Sequence, residues 1–554
     1  MNLFQNINRD KILLATLMLG LFLRGLNPTF GSPALYALND EAVAHQSALY
    51  MLANKTPFSI ATYTPLNAYL QIPFIIMFYL VVRLLGLFSS ASEFEYFLLT
   101  HEGYLLFIPR LISAAFGALT IIVIYKISLR LFKSRHVALI SAFLTACSFN
   151  LVHISHFGKP WAGAIFFFAL SALFFLKKRV LFTSIFGALS FGFHQIGIFS
   201  FPFILFLQAS SIKKKIFACI LWIFLVVFFQ FLSSDVNTMN KITTGYSFFK
   251  PNTVITDILA NNISFNSVLI TVKNNSFIYI FKNLLATDGV IFIFGIAGFS
   301  LLIRKMQYRS YLGFALFQFV FSIFFLWLLV RYYFPFLILI IPLASYAIYK
   351  TGNAIKFFKL PFAFLIVFFL LLNPLWWNYL FMKEPTFLQV HKWIDQNLPH
   401  GEWFVYAGGR YQTFSPSAEA SAIAQKYDPS FYKRLAERAS AKKNLYTKNV
   451  VYLGRIPGDS KKGKFENFPK QVSFDFVVDY YLYSGDSLNK MYPGKFEVVK
   501  SFKSVKNLTA KNMPEPLFDA SSNFQTFHES IKGSMFDMER IGPNFDVLKV
   551  NKDE

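Results

Sequence analysis

Two neighbouring carboxylates, Asp40 and Glu41, follow the first apolar segment of the chain, 12–26. A carboxylate beside a bilayer is costly to keep unless it lines a wet site, so an ionisable pair there marks a candidate functional site. Held beside an acceptor hydroxyl, a carboxylate takes the proton as that oxygen attacks, which is general-base work. The same pair also reads as two solvated loop residues, and the surrounding sequence has to shift the balance. Asn39-Asp40-Glu41 leads into an amphipathic stretch, 42–53, with His45, Tyr50 and Lys55 nearby. The loop, 27–66, closes on Tyr63-Thr64-Pro65-Leu66, where the next apolar segment begins.

The elements that must position these residues are set by composition. The chain has 554 residues, 55% of them apolar, with 71 Phe and only 15% charged residues. No soluble fold needs so much apolar side chain. About a dozen apolar stretches are long enough to cross a hydrocarbon core of roughly 30 Å. The expectation is an α-helical polytopic membrane protein, with about 11–13 transmembrane helices in 1–382. A small extracytoplasmic α/β domain follows in 383–554, where a helical run, 429–443, alternates with strand-like runs at 450–453, 474–483 and 496–499. No small-residue cleavage site follows the first segment, so it reads as an anchor.

The net charge of +24 sits between apolar stretches. Lys126/Arg130/Lys133/Arg135, Lys177/Lys178/Arg179, Lys213/Lys214/Lys215, Arg304/Lys305/Arg309 and Lys350/Lys356/Lys359 form the positive-inside pattern of cytoplasmic loops. This favours a topological role for the charge over nucleic-acid binding. Arg9 and Lys11 hold the N-terminus inside, so the acidic pair and the C-terminal domain emerge outside, as does a polar stretch, 233–287. The AT-rich codon bias implied by Lys, Ile, Phe and Asn points to a prokaryotic plasma membrane. Three apolar segments, 67–88, 104–126 and 136–155, separate the pair from a second candidate site near His156. An even number of crossings is needed to keep both on one face, so either one segment is re-entrant or interfacial, or the second site lies elsewhere. Cys147 and Cys219 lie in apolar stretches as lipid- or core-facing thiols, without metal-ligand spacing. His45, His101-Glu102, His153 and His156 are too scattered for a metal set.

Further along come Glu93-Phe94-Glu95, Arg110-Leu111-Ile112-Ser113 and Gly117. Arg331-Tyr332-Tyr333-Phe334-Pro335 opens a late span, and Thr386, Trp393-Ile394 and Asn397-Leu398-Pro399 follow the last one. In order and spacing this set resembles the GT-C superfamily of polytopic glycosyltransferases, most of all the protein O-mannosyltransferase and aminoarabinose-lipid-A transferase group. It covers the membrane part and the start of the outer domain.

The resemblance implies transfer of one sugar from a polyprenyl-phosphate donor to a protein, lipid or glycan acceptor at the outer face. It implies Asp40 as general base with Glu41 as helper. A leaving phosphate needs a cation, and the fork of Arg331 suits phosphate oxygens at two points, beside Tyr332; its alternative is an Arg that snorkels to headgroups. Tyr63 lines the end of the acidic loop.

Two departures from the family pattern stand out. Relatives carry a second acid after a basic-Pro step, but Ser155-His156-Phe157-Gly158-Lys159-Pro160-Trp161 places Trp161 there, so a divalent metal held by two carboxylates is not expected. Lys159 then meets the donor phosphate, or Trp161 stacks on a sugar face, or the two form an interfacial belt. His194-Gln195 stands where relatives place a Lys; His194 either touches the lipid phosphate or hydrogen-bonds a backbone carbonyl. Two other readings are kept: a transporter or flippase of a lipid-linked precursor, set against by the lack of an internal repeat and by candidate charges at the outer ends of spans, and a non-catalytic polyprenyl-phosphate-binding relative.

Overall fold

The computed structural model describes residues 10–32, 41–59, 65–91, 93–94, 97, 102–205, 211–232, 277–325, 333–355, 359–398, 401–407, 417, 419–420, 448–452, 466, 473–481, 487–503, 539–540 and 544–551. The helices are α1 (Lys11–Gly25), α2 (Glu41–Asn54), α3 (Leu66–Leu84), α4 (Phe107–Phe132), α5 (Arg135–Cys147), α6 (Phe149–Ser155), α7 (Trp161–Leu176) and α8 (Val180–Phe193). After a 3-10 turn, Gln195–Ser200, come α9 (Phe201–Leu205), α10 (Ile212–Leu232), α11 (Phe277–Leu302), α12 (Arg309–Phe325), α13 (Phe334–Ala354), α14 (Lys359–Met382) and α15 (Thr386–Asn397). A short α16 (Leu488–Met491) lies among the strands β1 (Trp403–Tyr406), β2 (Asn449–Tyr452), β3 (Phe476–Tyr481), β4 (Phe496–Phe502) and β5 (Asn544–Val550).

Among the described residues, six helical runs are long and apolar enough to cross a membrane, and seven if the bent pair α5–α6 is one span. The shorter helices α7, α8 and Gln195–Leu205 are also apolar; the expected count of about 11–13 was for the whole of 1–382, part of which lies outside the described residues. Two compact units divide the chain. One takes in Met1–Pro28, Val43–Ile76 and Ile108–Asn378; the other Thr29–Ala42, Met77–Phe107 and Tyr379–Glu554.

In the first unit α5 packs on α1 and α13, α11 runs along α13, and α7 pairs with α8. Small residues permit the closest approaches: a Cβ on Gly298 would strike the Leu343 carbonyl, and one on Gly295 the Ile340 side chain. Such sites are how helices come together where apolar surface is everywhere. In α13, 78% of the most apolar window is enclosed, against 17% for the run that begins with α14, so α13 is central and α14 peripheral. The span expected after Tyr333 opens at Phe334 with Pro335 in its first turn, where the missing amide costs nothing. Two of the basic turns run through Lys133 (φ 52°) and Lys178 (φ 56°).

The second unit holds the sheet, ordered β2-β1-β3-β5-β4. β1 is parallel to β2 and β3, while β5 is antiparallel to β3 and β4. Alternation along β1 sends Phe404 and Tyr406 to one face and Val405 to the other, as strand period demands. The first face is covered by Phe387, Val390 and Ile394 of α15, whose spacing makes one helical stripe. The expected strands near 450, 476 and 496 are present; β1 and β5 were not foreseen, and 429–443 lies outside the described residues.

Candidate functional site

The site is best built from α6, a seven-residue helix in the first unit. The segment 136–155 does not run straight: α5 and α6 are bent by 54° at Ser148. A broken helix frees carbonyls on one side and amides on the other, and in an apolar setting both must find partners. Arg24 of α1 serves the carbonyls, donating from Nη1 to Ala146 at 2.8 Å and from Nη2 to Thr145 at 2.7 Å. Asp288 of α11 serves the amides. It accepts from Phe149 N at 2.8 Å, Asn150 N at 3.3 Å, Asn150 Nδ2 at 2.8 Å and Ser148 Oγ at 2.9 Å.

Asp288 is itself a kink in α11, with φ −128° and ψ 41°. The carbonyls so released, of Ala286 and Thr287, accept from Asn373 Nδ2 at 3.1 Å each. Thr287 Oγ1 accepts from Asn150 Nδ2 at 2.8 Å. Of the polar stretch expected over 233–287, the described part, 277–287, is the helical segment that precedes the kink at Asp288.

The far end of α6 is also held. His156 sets Nδ1 3.0 Å from the Val152 carbonyl and Nε2 3.0 Å from Asn378 Oδ1. Asn378 is fixed in that orientation because its amide donates to Leu23 and Pro374 carbonyls, at 3.0 and 2.8 Å. The next residues form a buried loop tied at two backbone points. Asn67 Nδ2 donates to the Gly158 carbonyl at 3.2 Å, and Ser113 Oγ to the Lys159 carbonyl at 3.1 Å.

On this loop Lys159 is 1% exposed, its ammonium 4.5 Å from the Trp161 ring centre and 5.5 Å from that of Phe157. A desolvated ammonium over Trp gains about 2 kcal/mol from the ring quadrupole. Trp161 meets His194 edge-on with centroids 6.5 Å apart. The structure thus brings Lys159, Trp161 and His194 into one cluster. The belt alternative for Lys159 and Trp161 does not hold, since both are enclosed. His194 caps the turn that follows it: its Nδ1 accepts from the Ile196 amide at 3.1 Å. Arg110, also buried, donates to the Pro28 carbonyl at 2.9 Å.

Glu41 opens α2 and is fully buried. Further along α2, His45 Nδ1 lies 2.9 Å from Gln71 Oε1 of α3. Asp40, Tyr63, Arg331 and Tyr332 lie outside the described residues. Among the described residues no three His, Cys, Asp or Glu side chains converge as metal ligands. Cys147 is buried, Cys219 partly so, and both are free. Arg24, Asn150, Asp288 and Asn378 were missed in the sequence; an Asp and an Arg inside apolar helices were the available signal. Arg24, in the last turn of α1, and Asp288, at the kink in α11, are both buried.

No protein-family profile and no curated protein matches the sequence. Among solved structures the chain is similar to the apo oligosaccharyltransferase of Archaeoglobus fulgidus, at 13% identity and TM-score 0.45, over 85% of this chain and 69% of that one. The complex of the A. fulgidus enzyme AglB with an inhibitory peptide and a dolichol-phosphate gives 13% identity and 0.45, over 84% and 69%. ArnT from Cupriavidus metallidurans bound to undecaprenyl phosphate gives 11% identity and 0.46, over 88% and 95%.

Proposed function

We propose that this chain is a membrane glycosyltransferase moving one sugar from a polyprenyl-phosphate donor to an acceptor hydroxyl at the extracytoplasmic face. The observation that carries the reading is the enclosed pair Lys159–Trp161, a cation stacked on an aromatic ring at 4.5 Å on a loop whose carbonyls are pinned. A phosphosugar asks for these two things together: positive charge for the phosphate that leaves and a flat apolar surface for the sugar ring. Arg110, buried in the same unit, adds positive charge. Asp40 takes the acceptor proton, with Glu41 beside it in sequence, and Arg331 and Tyr332 serve the donor phosphate. The donor tail is too apolar to leave the bilayer, which suits a chain with six or more membrane-crossing helices.

The decisive experiment is transfer from a radiolabelled polyprenyl-phosphate sugar by the purified chain and its Asp40→Asn variant. The expected result is abolished transfer with normal expression and insertion. Full activity in Asp40→Asn would remove the mechanism.

A further inference from the structure

The geometry points to Asp288 as a positioning residue for the donor site, acting through α6 on Lys159 and Trp161; this rests on the donor-binding reading above. Asp288 touches neither of those side chains. Its carboxylate collects four donors at the start of α6, from Ser148, Phe149 and Asn150. Six residues later the same helix ends in His156, held by Asn378. The loop carrying Lys159 leaves directly from that end, and its carbonyls are fixed by Asn67 and Ser113.

A helix of 7 residues is too short to hold its own shape or direction. Its aim is set by whatever grips its two ends. At the His156 end the imidazole meets Asn378 Oδ1. At the Ser148 end the grip is four hydrogen bonds to one charged group, each about twice as strong as a neutral bond. Asp288 thus sets the start of the helix from which the Lys159 loop departs. All four partners present hydrogens, so an amide in place of the carboxylate turns one NH2 toward donors and loses part of the set.

The test uses the full-length chain in lipid nanodiscs, titrated with undecaprenyl phosphate, comparing Asp288→Asn, Thr287→Val, Lys159→Gln and the double variant Asp288→Asn/Lys159→Gln. A misplacement of ~1 Å at a reacting site can cost about a hundredfold, so Asp288→Asn should weaken binding on the order of tenfold or more. Thr287→Val, which removes one of the two acceptors of Asn150 Nδ2, should move affinity the same way by less, and it decides the matter if Asp288→Asn does not fold. The double variant should bind little worse than Lys159→Gln alone, because both changes disable one group. Wild-type affinity in folded Asp288→Asn, or in Thr287→Val where Asp288→Asn does not fold, or losses that simply add, overturns the inference. No loss from Lys159→Gln alone would instead bring down the donor-site reading, and this inference with it.

Discussion

Arg24 and Asp288 attend opposite sides of one break in helical structure. Arg24 takes the last carbonyls of α5 and Asp288 the first amides of α6, with Ser148 the only residue between. The charges have the signs that the exposed peptide groups require, positive at carbonyls and negative at amides. Each charge is buried, and each is matched by several hydrogen bonds, which is the condition for keeping an ion out of water.

Arg24→Met should therefore destabilise the helical unit. The carbonyls of Thr145 and Ala146 lose their donor, and each orphaned buried acceptor costs about 1–3 kcal/mol. Thermal unfolding in detergent checks this. A midpoint equal to wild type would mean that water or another side chain serves those carbonyls.

Gly117→Ala tests the space beside the same arginine. A Cβ there would strike Ser155 Oγ and come within 2.8 Å of Arg24 Cδ, an overpacking of about 1–3 kcal/mol. Gly313→Ala in α12 is the contrast, because nothing lies within 4 Å of its Cβ. That change should stabilise by up to ~1 kcal/mol through helix propensity. Equal effects from the two would refute the packing assignment.

Asp10 gives a pH dependence of known sign. Arg135 Nε donates to it at 2.9 Å, and chiefly that hydrogen bond holds the Asp10 carboxyl below the usual carboxylate range. A carboxyl with a lower pKa folded than unfolded contributes stability above its unfolded pKa, about 3.9, and that stability disappears as pH falls through the folded value. Arg135 is 59% exposed, so salt screens the pair and the effect stays under about 1 kcal/mol. Unfolding midpoints between pH 3 and 7 should fall less steeply in Asp10→Asn than in wild type; identical acid limbs would reject the pairing.

In the sheet unit Asp479 accepts from Ser487 Oγ at 3.1 Å and Leu488 N at 2.7 Å, capping α16. Asp479→Ala should cost about 1–2 kcal/mol, as loss of an N-cap does, read as faster hydrogen exchange in 487–491. Unchanged exchange there would show the cap to be idle.

Arg331→Ala should weaken donor binding by about 2–5 kcal/mol, as loss of one partner of a buried charge pair does. Unchanged affinity would reassign Arg331 to headgroup anchoring.

Much of the architecture was readable from residue order. Apolar runs gave the helices, Pro335 marked the start of α13, and the polar change near residue 383 announced strands. Strand β5 was not, because its partners β3 and β4 precede it by some 40 residues or more and no local signal fixes such pairing. At the candidate site, Lys159, Trp161 and His194 were singled out by motif and prove to be neighbours. Asp288 was not singled out, because it directly follows a stretch read as polar, 233–287. Periodicity reports which face is apolar; it does not report that a helix is cut and that a distant carboxylate fills the cut.

Gly295 and Gly298 seat the later half of α11 against Ile340 and Leu343 of α13 with no room to slide. The kink at Asp288 is where that half ends. The stretch of α11 after the kink and the middle of α13 therefore form a pair that admits no side chain larger than glycine at either crossing.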